Sequence, residues 1–229
     1  MSKRIIVAID GPAGAGKSTL ARRIAEKLGC IYIDTGAMYR AVALWALRNG
    51  TALEDMHRLE QLAREADIEF TAGASTVLLN GEDVTEAIRT PEVSDAASRV
   101  SAIPGVRQAL VRKQREIGAT ASVVMEGRDI GTIVFPEADV KVFLDAEPAV
   151  RADRRVRQLA TAGRALAEQA VASQIDERDR RDRTRAESPL VQAPDAVYLD
   201  SSGMDADEVE QKLLRIIRER TSNGKERRS

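Results

Sequence analysis

The chain is poor in the residues that build several common kinds of site. Its 229 residues include one cysteine, Cys30, and one histidine, His57. A lone thiol cannot close an intramolecular disulfide, and there is no Cys/His cluster for zinc, so the sequence fits a reducing cytoplasm. Aromatic residues make up 3% of the chain and the formal net charge is −1. With neither stacking platforms nor a basic excess, the composition argues against nucleic acid as a partner. Met1-Ser2-Lys3-Arg4 has the charge of a secretory n-region, but only five apolar residues follow before Asp10, too few for a signal peptide. The longest later apolar stretch, Ala41 to Leu47, is far too short to span a bilayer, so no membrane partner is expected. His57 follows a helix start at Asp55 and reads as a surface residue rather than an acid or base. What is left is ordinary: 43% hydrophobic and 31% charged residues, enough for one globular domain with a substantial core.

Against this background one segment is specific. Gly11-Pro12-Ala13-Gly14-Ala15-Gly16-Lys17-Ser18 has the form G-x-x-x-x-G-K-[ST] and directly follows the apolar run Ile5–Ile9. After it, Leu20, Ile24 and Leu28 recur at helical spacing with Ala21 and Ala25, so the segment joins a buried strand to a helix. In that setting the glycines let successive N–H groups point at one polyphosphate. Lys17 reaches the β and γ phosphates, and Ser18 offers a hydroxyl to magnesium at the helix N-terminus. Asp10 either approaches the metal or supports the turn.

Val- and Ile-rich strands are expected at Arg4–Ile9, Ile31–Ile33, Ser122–Met125, Val140–Leu144 and Val197–Leu199. Helical segments separate them, which implies a parallel sheet covered on both faces. Between the second and third strands lies a mostly helical interval from Gly36 to Thr120. Inside it, Ile68–Ala72 and Thr76–Asn80 have β character and are followed by Gly73-Ala74 and Asn80-Gly81, a small antiparallel excursion in an inserted subdomain. A polar helical stretch runs from Glu147 to Glu187 with Gly163 as a break, and a last helix from Asp205 to Arg220 leads into a frayed tail starting at Ser222.

From Arg151 to Arg185 there are ten arginines and no lysine. Some belong to a solvated face with ion pairs to Asp153, Asp176, Glu177, Asp179 and Asp182. Arg178, Arg181 and Arg185, however, fall at i, i+3 and i+7 with Asp182 at i+4, placing three cations on one helix face. A ligand phosphate would relieve that repulsion, and the planar guanidinium fork binds phosphate oxygens bidentately. Arg151, Arg154, Arg155 and Arg157 are either a solvated face or a mobile lid. Asp34-Thr35-Gly36-Ala37-Met38-Tyr39-Arg40 and Gly127-Arg128-Asp129 stand beyond strand ends, where a doubly wound sheet keeps its ligands; their Arg and Asp residues bind ligand or form structural salt bridges. The absence of a candidate base favours a phosphate monoester over an alcohol as acceptor, because its oxygen is already ionised, with a second pKa of about 6.

These motifs, together with Ala97-Ser98, Val106-Arg107 and Glu177-Arg178-Asp179-Arg180-Arg181-Asp182-Arg183 with Arg185, resemble the bacterial cytidylate kinases in order and spacing over nearly the whole chain. The resemblance implies an α/β nucleoside monophosphate kinase fold: a single domain over 1–229, with a five-stranded parallel core, an insert over about 36–120 whose β excursion lies near 68–84, and a lid over about 147–165. It implies transfer of the γ-phosphoryl of ATP to CMP or dCMP with magnesium, in pyrimidine nucleotide metabolism. Lys17, Arg128 and Arg178 would be catalytic. ATP would bind on Gly11 to Ser18, Thr19, Arg154, Arg155 and Arg157. Arg40, Arg128 and Arg178 would hold the acceptor phosphate, with Thr35 beside them. Arg178, Asp182 and Arg185 would approach the sugar and its phosphate, and Ser98, Arg107 and Asp129 would read the cytosine. The family often has Gly at the place of Ser18, followed by Thr as in Thr19, so either hydroxyl could meet the metal; Ser18 is favoured because it occupies the P-loop position. A cytoplasmic monomer is expected. The alternatives are a P-loop kinase acting on a shikimate-like or gluconate-like alcohol, a GTPase switch, for which no Asn-Lys-x-Asp segment is present, and a non-catalytic nucleotide-binding module.

Overall fold

The structure, a computed structural model, describes residues 4–71, 76–161, 163 and 167–226. Five parallel strands form the central sheet: β1 (Ile6–Asp10), β2 (Ile31–Asp34), β6 (Val123–Gly127), β7 (Val140–Asp145) and β8 (Val197–Asp200), in the order β2-β6-β1-β7-β8. β1 is central, with Ile9 level with Glu126 of β6 on one side and Val142 of β7 on the other. Its apolar run is continuous because both faces are covered. Val7 and Ile9 pack with Leu20, Ile24 and Leu213 under α1 (Lys17–Leu28) and α8 (Ala206–Glu226). Ala8 points to the opposite face, with Ile33, Met125 and Val111. Each fully buried Leu or Ile contributes about 1.5–3 kcal/mol, so this two-sided core fixes the strand ends that carry the site.

Four helices, α2 (Thr35–Arg48), α3 (Met56–Glu65), α4 (Pro91–Val100) and α5 (Pro104–Thr120), fill the interval expected to be helical. They share a core with Ile68, Val77 and Leu79 of a small antiparallel sheet, β3 (Ile68–Phe70), β4 (Val77–Leu79) and β5 (Glu82–Asp83). Asn80 and Gly81 both have positive φ, 51° and 81°, and Leu79 pairs with Glu82, which makes a two-residue hairpin with the twist such turns favour. The sequence showed no sign of β5, because its two residues are both polar and exposed. β3 ends at Phe70 rather than Ala72; Ala72 and the expected turn at Gly73-Ala74 lie outside the described residues.

Beyond β7, α6 (Pro148–Thr161) and α7 (Glu168–Thr184) pack together through Ala152, Leu159, Val171 and Ile175. Gly163, at φ 70°, stands in the break between them; of the expected lid, residues 162, 164 and 165 lie outside the described residues. The last helix does not end at Arg220 but continues to Glu226, past the expected start of a frayed tail. Among the described residues no helix is long and apolar enough to cross a membrane.

Candidate active site

The loop after β1 is held by its surroundings as much as by its own sequence. Gly11 has φ 148°, and a Cβ there would meet the Leu144 carbonyl oxygen of β7 at 1.9 Å, so no side chain fits. At Gly14, φ 78°, a Cβ would meet the Arg151 carbonyl oxygen at 2.8 Å, which brings α6 directly onto the loop. Lys17 is buried and its Nζ donates to the Pro12 carbonyl at 2.6 Å, across the loop. Burial, joined by the charge of Arg128, lowers its pKa to about 7 against the pull of Glu126. Ser18 and Thr19 are both exposed on the first turn of α1. The Glu126 carboxylate accepts from the Tyr32 hydroxyl at 2.6 Å, and Ser18 lies close enough to favour its charge. Burial and the neighbouring Asp34 raise the Glu126 pKa.

Asp10 supports a turn. Its two carboxylate oxygens accept from Ile130 N at 2.8 Å and Gly131 N at 2.7 Å, fixing the wide π-type turn Ile130–Val134 that follows Asp129. Burial raises its pKa to about 6 although both hydrogen bonds favour the ionised form.

The arginines after β7 part company. Arg154 donates to Ser201 Oγ at 2.9 Å, to the Ser201 carbonyl at 2.7 Å and to the Ala15 carbonyl at 3.3 Å, tying the loop to the end of β8. Arg155 reaches Gln158 Oε1 at 2.8 Å and lies close enough to Arg178 to repel it. Arg157 points outward, its side chain 79% exposed and paired with Asp153. The structure therefore brings Arg154 to the loop and leaves Arg157 at the surface.

The other arginines meet at a cleft beyond the ends of β2 and β6. Asp34 caps α2 by accepting from Ala37 N at 3.0 Å and turns its second oxygen to Arg40 at 2.7 Å. Burial works against its charge, but Arg40 and the cap hold its pKa below the usual range. Thr35 lines the cleft while its hydroxyl donates to the Glu126 carbonyl at 2.7 Å. Arg128 Nε donates to Asp182 at 2.8 Å, and Arg185 stands 3.6 Å from the same carboxylate. Burial opposes the Asp182 charge, yet Arg128, Arg178 and Arg185 keep its pKa low. Arg107 and Asp129 are hydrogen-bonded to each other, and Arg107 also donates to the Ser101 carbonyl at 3.1 Å. Arg178 is the least compensated: burial and Arg128 lower its pKa to about 10. Among the described residues, buried Arg40 Nε, Ser98 Oγ, Arg107 Nε, Arg178 Nε and Arg185 Nη2 have no hydrogen-bond partner. Arg107, Arg178 and Arg185 line one cleft with Arg128, whereas Ser98 and Arg40 are not among its lining residues; orphaned guanidinium donors gathered there beside a P-loop describe a site for an anion.

A family model described as cytidylate kinase matches residues 7–219. The chain belongs to the cytidylate kinase family. It is 61% identical over 226 residues to a cytidylate kinase of Solibacter usitatus, covering 98% of this chain and 97% of that one. It is 48% identical over 222 residues to a cytidylate kinase of Syntrophotalea carbinolica, covering 96% and 94%. A bifunctional pantoate ligase/cytidylate kinase of a Synechococcus is also 48% identical over 222 residues; the match covers 95% of this chain and 41% of that longer protein. Among solved structures, an uncharacterised protein from Eubacterium ventriosum superposes with TM-score 0.56 at 12% identity, covering 95% of this chain and 99% of that one. A gluconokinase from Sinorhizobium meliloti gives 0.50 at 16%, covering 96% and 97%. These two likenesses show the fold alone.

Within this cytidylate kinase family chain, sequence spacing misplaced one arginine. Arg181 does not join Arg178 at the cleft; it pairs with Asp95 of α4 at 3.1 Å and with Glu177 at 3.6 Å. Arg185 lies past the last turn of α7 with an extended backbone, so it reaches the cleft from a cap position rather than from the helix face. Tyr39, Ser101 and Gln114 were missed. The Tyr39 ring sits 5.4 Å from the Arg107 guanidinium carbon, and Gln114 lies close enough to its hydroxyl to lower the pKa that burial raises. Gln114 is seven residues after Arg107 on α5, and Tyr39 directly precedes Arg40, so helical spacing carried a usable signal for both.

Proposed function

We propose that the chain transfers the γ-phosphoryl group of ATP to CMP or dCMP, giving ADP and CDP or dCDP. The observation that carries this reading is the set of buried guanidinium donors without partners, at Arg40, Arg107, Arg178 and Arg185, next to the P-loop. Arg40, Arg128 and Arg178 hold the acceptor phosphate. Asp182 and Arg185 face its sugar. Lys17 leaves the Pro12 carbonyl for the β and γ oxygens of ATP, where it offsets charge that develops during transfer. No side chain need take a proton, because the attacking phosphate oxygen is already ionised; positioning and charge neutralisation then supply the catalysis.

Cytosine offers an amine donor beside the N3 acceptor. The Asp129 carboxylate accepts from the amine and Arg107 donates to N3, and Ser98, whose buried Oγ has no partner among the described residues, reads the base with them. Uracil reverses both groups and leaves both side chains mispaired. The donor-side residues also suit magnesium: an exposed hydroxyl at the start of α1, backed by a carboxylate, is what a P-loop offers a metal whose remaining ligands are phosphate oxygens and water. Ser18 would hold it rather than Thr19, because it occupies the P-loop position and lies beside the Glu126 carboxylate, and the metal would neutralise the β and γ oxygens. α6 and the start of the segment after it serve as the lid, with Arg154 and Arg155 over ATP.

The protein acts as a monomer in the cytoplasm, with Cys30 reduced. Among the described residues the exposed large apolar side chains, Leu28, Met56, Ile133, Val191 and Tyr198, come from separate segments of the chain. A coupled assay of ADP release tests the function. Release that depends on CMP or dCMP is expected; release that ignores them, or none at all, overturns the reading.

A further inference from the structure

One ion pair links the two halves of the site. Arg151 of α6 and Asp179 of α7 have side chains 5% and 8% exposed and are hydrogen-bonded to each other. Between them they grip a single residue of the P-loop at both its polar groups. The Asp179 carboxylate accepts from Ala13 N at 3.0 Å, and Arg151 Nη1 donates to the Ala13 carbonyl at 3.0 Å. Arg151 Nε is fixed in turn by the Ala146 carbonyl at 3.0 Å, at the end of β7. The close approach at Gly14, where a Cβ would meet the backbone and Cβ of Arg151, leaves the loop no room to move toward α6.

Asp179 directly follows Arg178, and consecutive helical residues point about 100° apart. Asp179 therefore faces the donor loop while Arg178 lines the acceptor cleft. A buried pair of this kind is a poor source of stability, because desolvation offsets most of its attraction. Its geometry has a different consequence: every contact that fixes Asp179 on the loop also fixes Arg178 relative to the loop.

We propose that Arg151 and Asp179 are positioning residues for phosphoryl transfer, a clamp that sets the distance and angle between the ATP-bearing loop and the arginine that holds the acceptor phosphate. This rests on the reading of the chain as a CMP kinase. The clamp touches neither reacting group. It acts on the alignment of the two bound substrates, and a misplacement of about 1 Å lowers such a rate on the order of 100-fold.

Asp179→Asn keeps the shape and an oxygen for Ala13 N–H but cannot neutralise Arg151. Arg151→Lys keeps the charge, but one ammonium cannot serve Ala13, Ala146 and Asp179 together. For each variant, the double variant and wild type, the measurements are kcat, KM for ATP and CMP, and the separate Kd of CMP and of a non-hydrolysable ATP analogue. They are made below the melting temperature of each protein. The clamp predicts kcat lowered at least about tenfold, each Kd within about threefold of wild type, and a double variant no worse than the worse single one. Asp179→Glu provides a second carboxylate of different reach and should also lose kcat.

Variants that fold and keep kcat within about twofold of wild type, or lose only affinity, overturn the clamp. So does a set in which every variant fails to fold, since the pair would then serve the fold alone. A wild type that does not phosphorylate CMP removes the underlying functional reading instead, which separates the two failures.

Discussion

Arg107 and Asp129 are bonded to each other within the acceptor cleft, with side chains 4% and 7% exposed, although the two residues are 22 apart in sequence. The Arg107 Nε of this pair has no hydrogen-bond partner among the described residues. Truncating either residue strands the other's charge in the protein interior, which costs about 3–5 kcal/mol. Alanine variants would therefore mix folding with recognition.

Asp129→Asn is the milder change. It keeps volume and one acceptor oxygen while removing the negative charge, and its amide NH2 can donate to the O4 of uracil. We expect a lower Tm and a narrowed ratio of kcat/KM for CMP over UMP, since discrimination of about 1–3 kcal/mol comes from each mispaired buried group. Measuring both substrates decides it: equal falls for CMP and UMP would mean that Asp129 only supports the cleft.

Lys17→Met should lower kcat by roughly two orders of magnitude or more, the scale for losing one electrostatic contact to a transition state. Its Tm should stay near or above that of wild type. Removing a buried cation whose pKa burial lowers to about 7 relieves a desolvation penalty, against the loss of one bond to the Pro12 carbonyl. A folded variant with wild-type kcat would refute the assignment.

Arg178→Ala should weaken CMP far more than ATP. Bound CMP raises the Tm of wild type by mass action and should barely move that of the variant. The ligand-free variant should be no less stable than wild type, because Arg178 is a buried cation repelled by Arg128 with Nε unpartnered. Equal CMP affinity in the two proteins would return Arg178 to a structural role.

Asp10 makes stability depend on pH in a stated direction. Burial lifts its pKa from 3.8 to about 6. Between those values the folded chain holds the proton and the unfolded chain has released it, so this group's contribution falls as pH rises from about 4 to about 6 and is flat above. The stability difference between wild type and Asp10→Asn should shrink across that window by at most about 3 kcal/mol. Denaturant titrations at pH 4.5 and 7.5 read it, and a difference that grows with pH would contradict the account.

Features built from local spacing were legible in the sequence. The run Ile5–Ile9, the glycine loop and the Leu20–Ile24 stripe describe one strand, one turn and one helix, and β1, the loop and α1 appear there. The break near Gly163 and the Asn80-Gly81 turn were legible for the same reason, since positive φ favours those residue types. Features made by distant partners were not. Nothing in the spacing of Arg151 and Asp179 says that they meet on Ala13. Glu126 lies one residue past the expected strand Ser122–Met125 and carries no motif of its own, but the register of β6 against β1 and β2 sets it among Lys17, Ser18 and Tyr32. Arg181 shares the helical phase of Arg178, yet Asp95 on α4 draws it away. Charge spacing on one helix records which side chains could share a face, and the neighbouring helix decides which of them do.

The central claim is the identity of the group that receives the phosphoryl. ATP labelled in its γ-phosphoryl, incubated with magnesium and CMP and followed by separation of the products, tests it directly. The account predicts label in the β-phosphate of CDP, formed one for one with ADP, and the same with dCMP. Label appearing only as inorganic phosphate, or in gluconate or shikimate while CMP stays unlabelled, would contradict it.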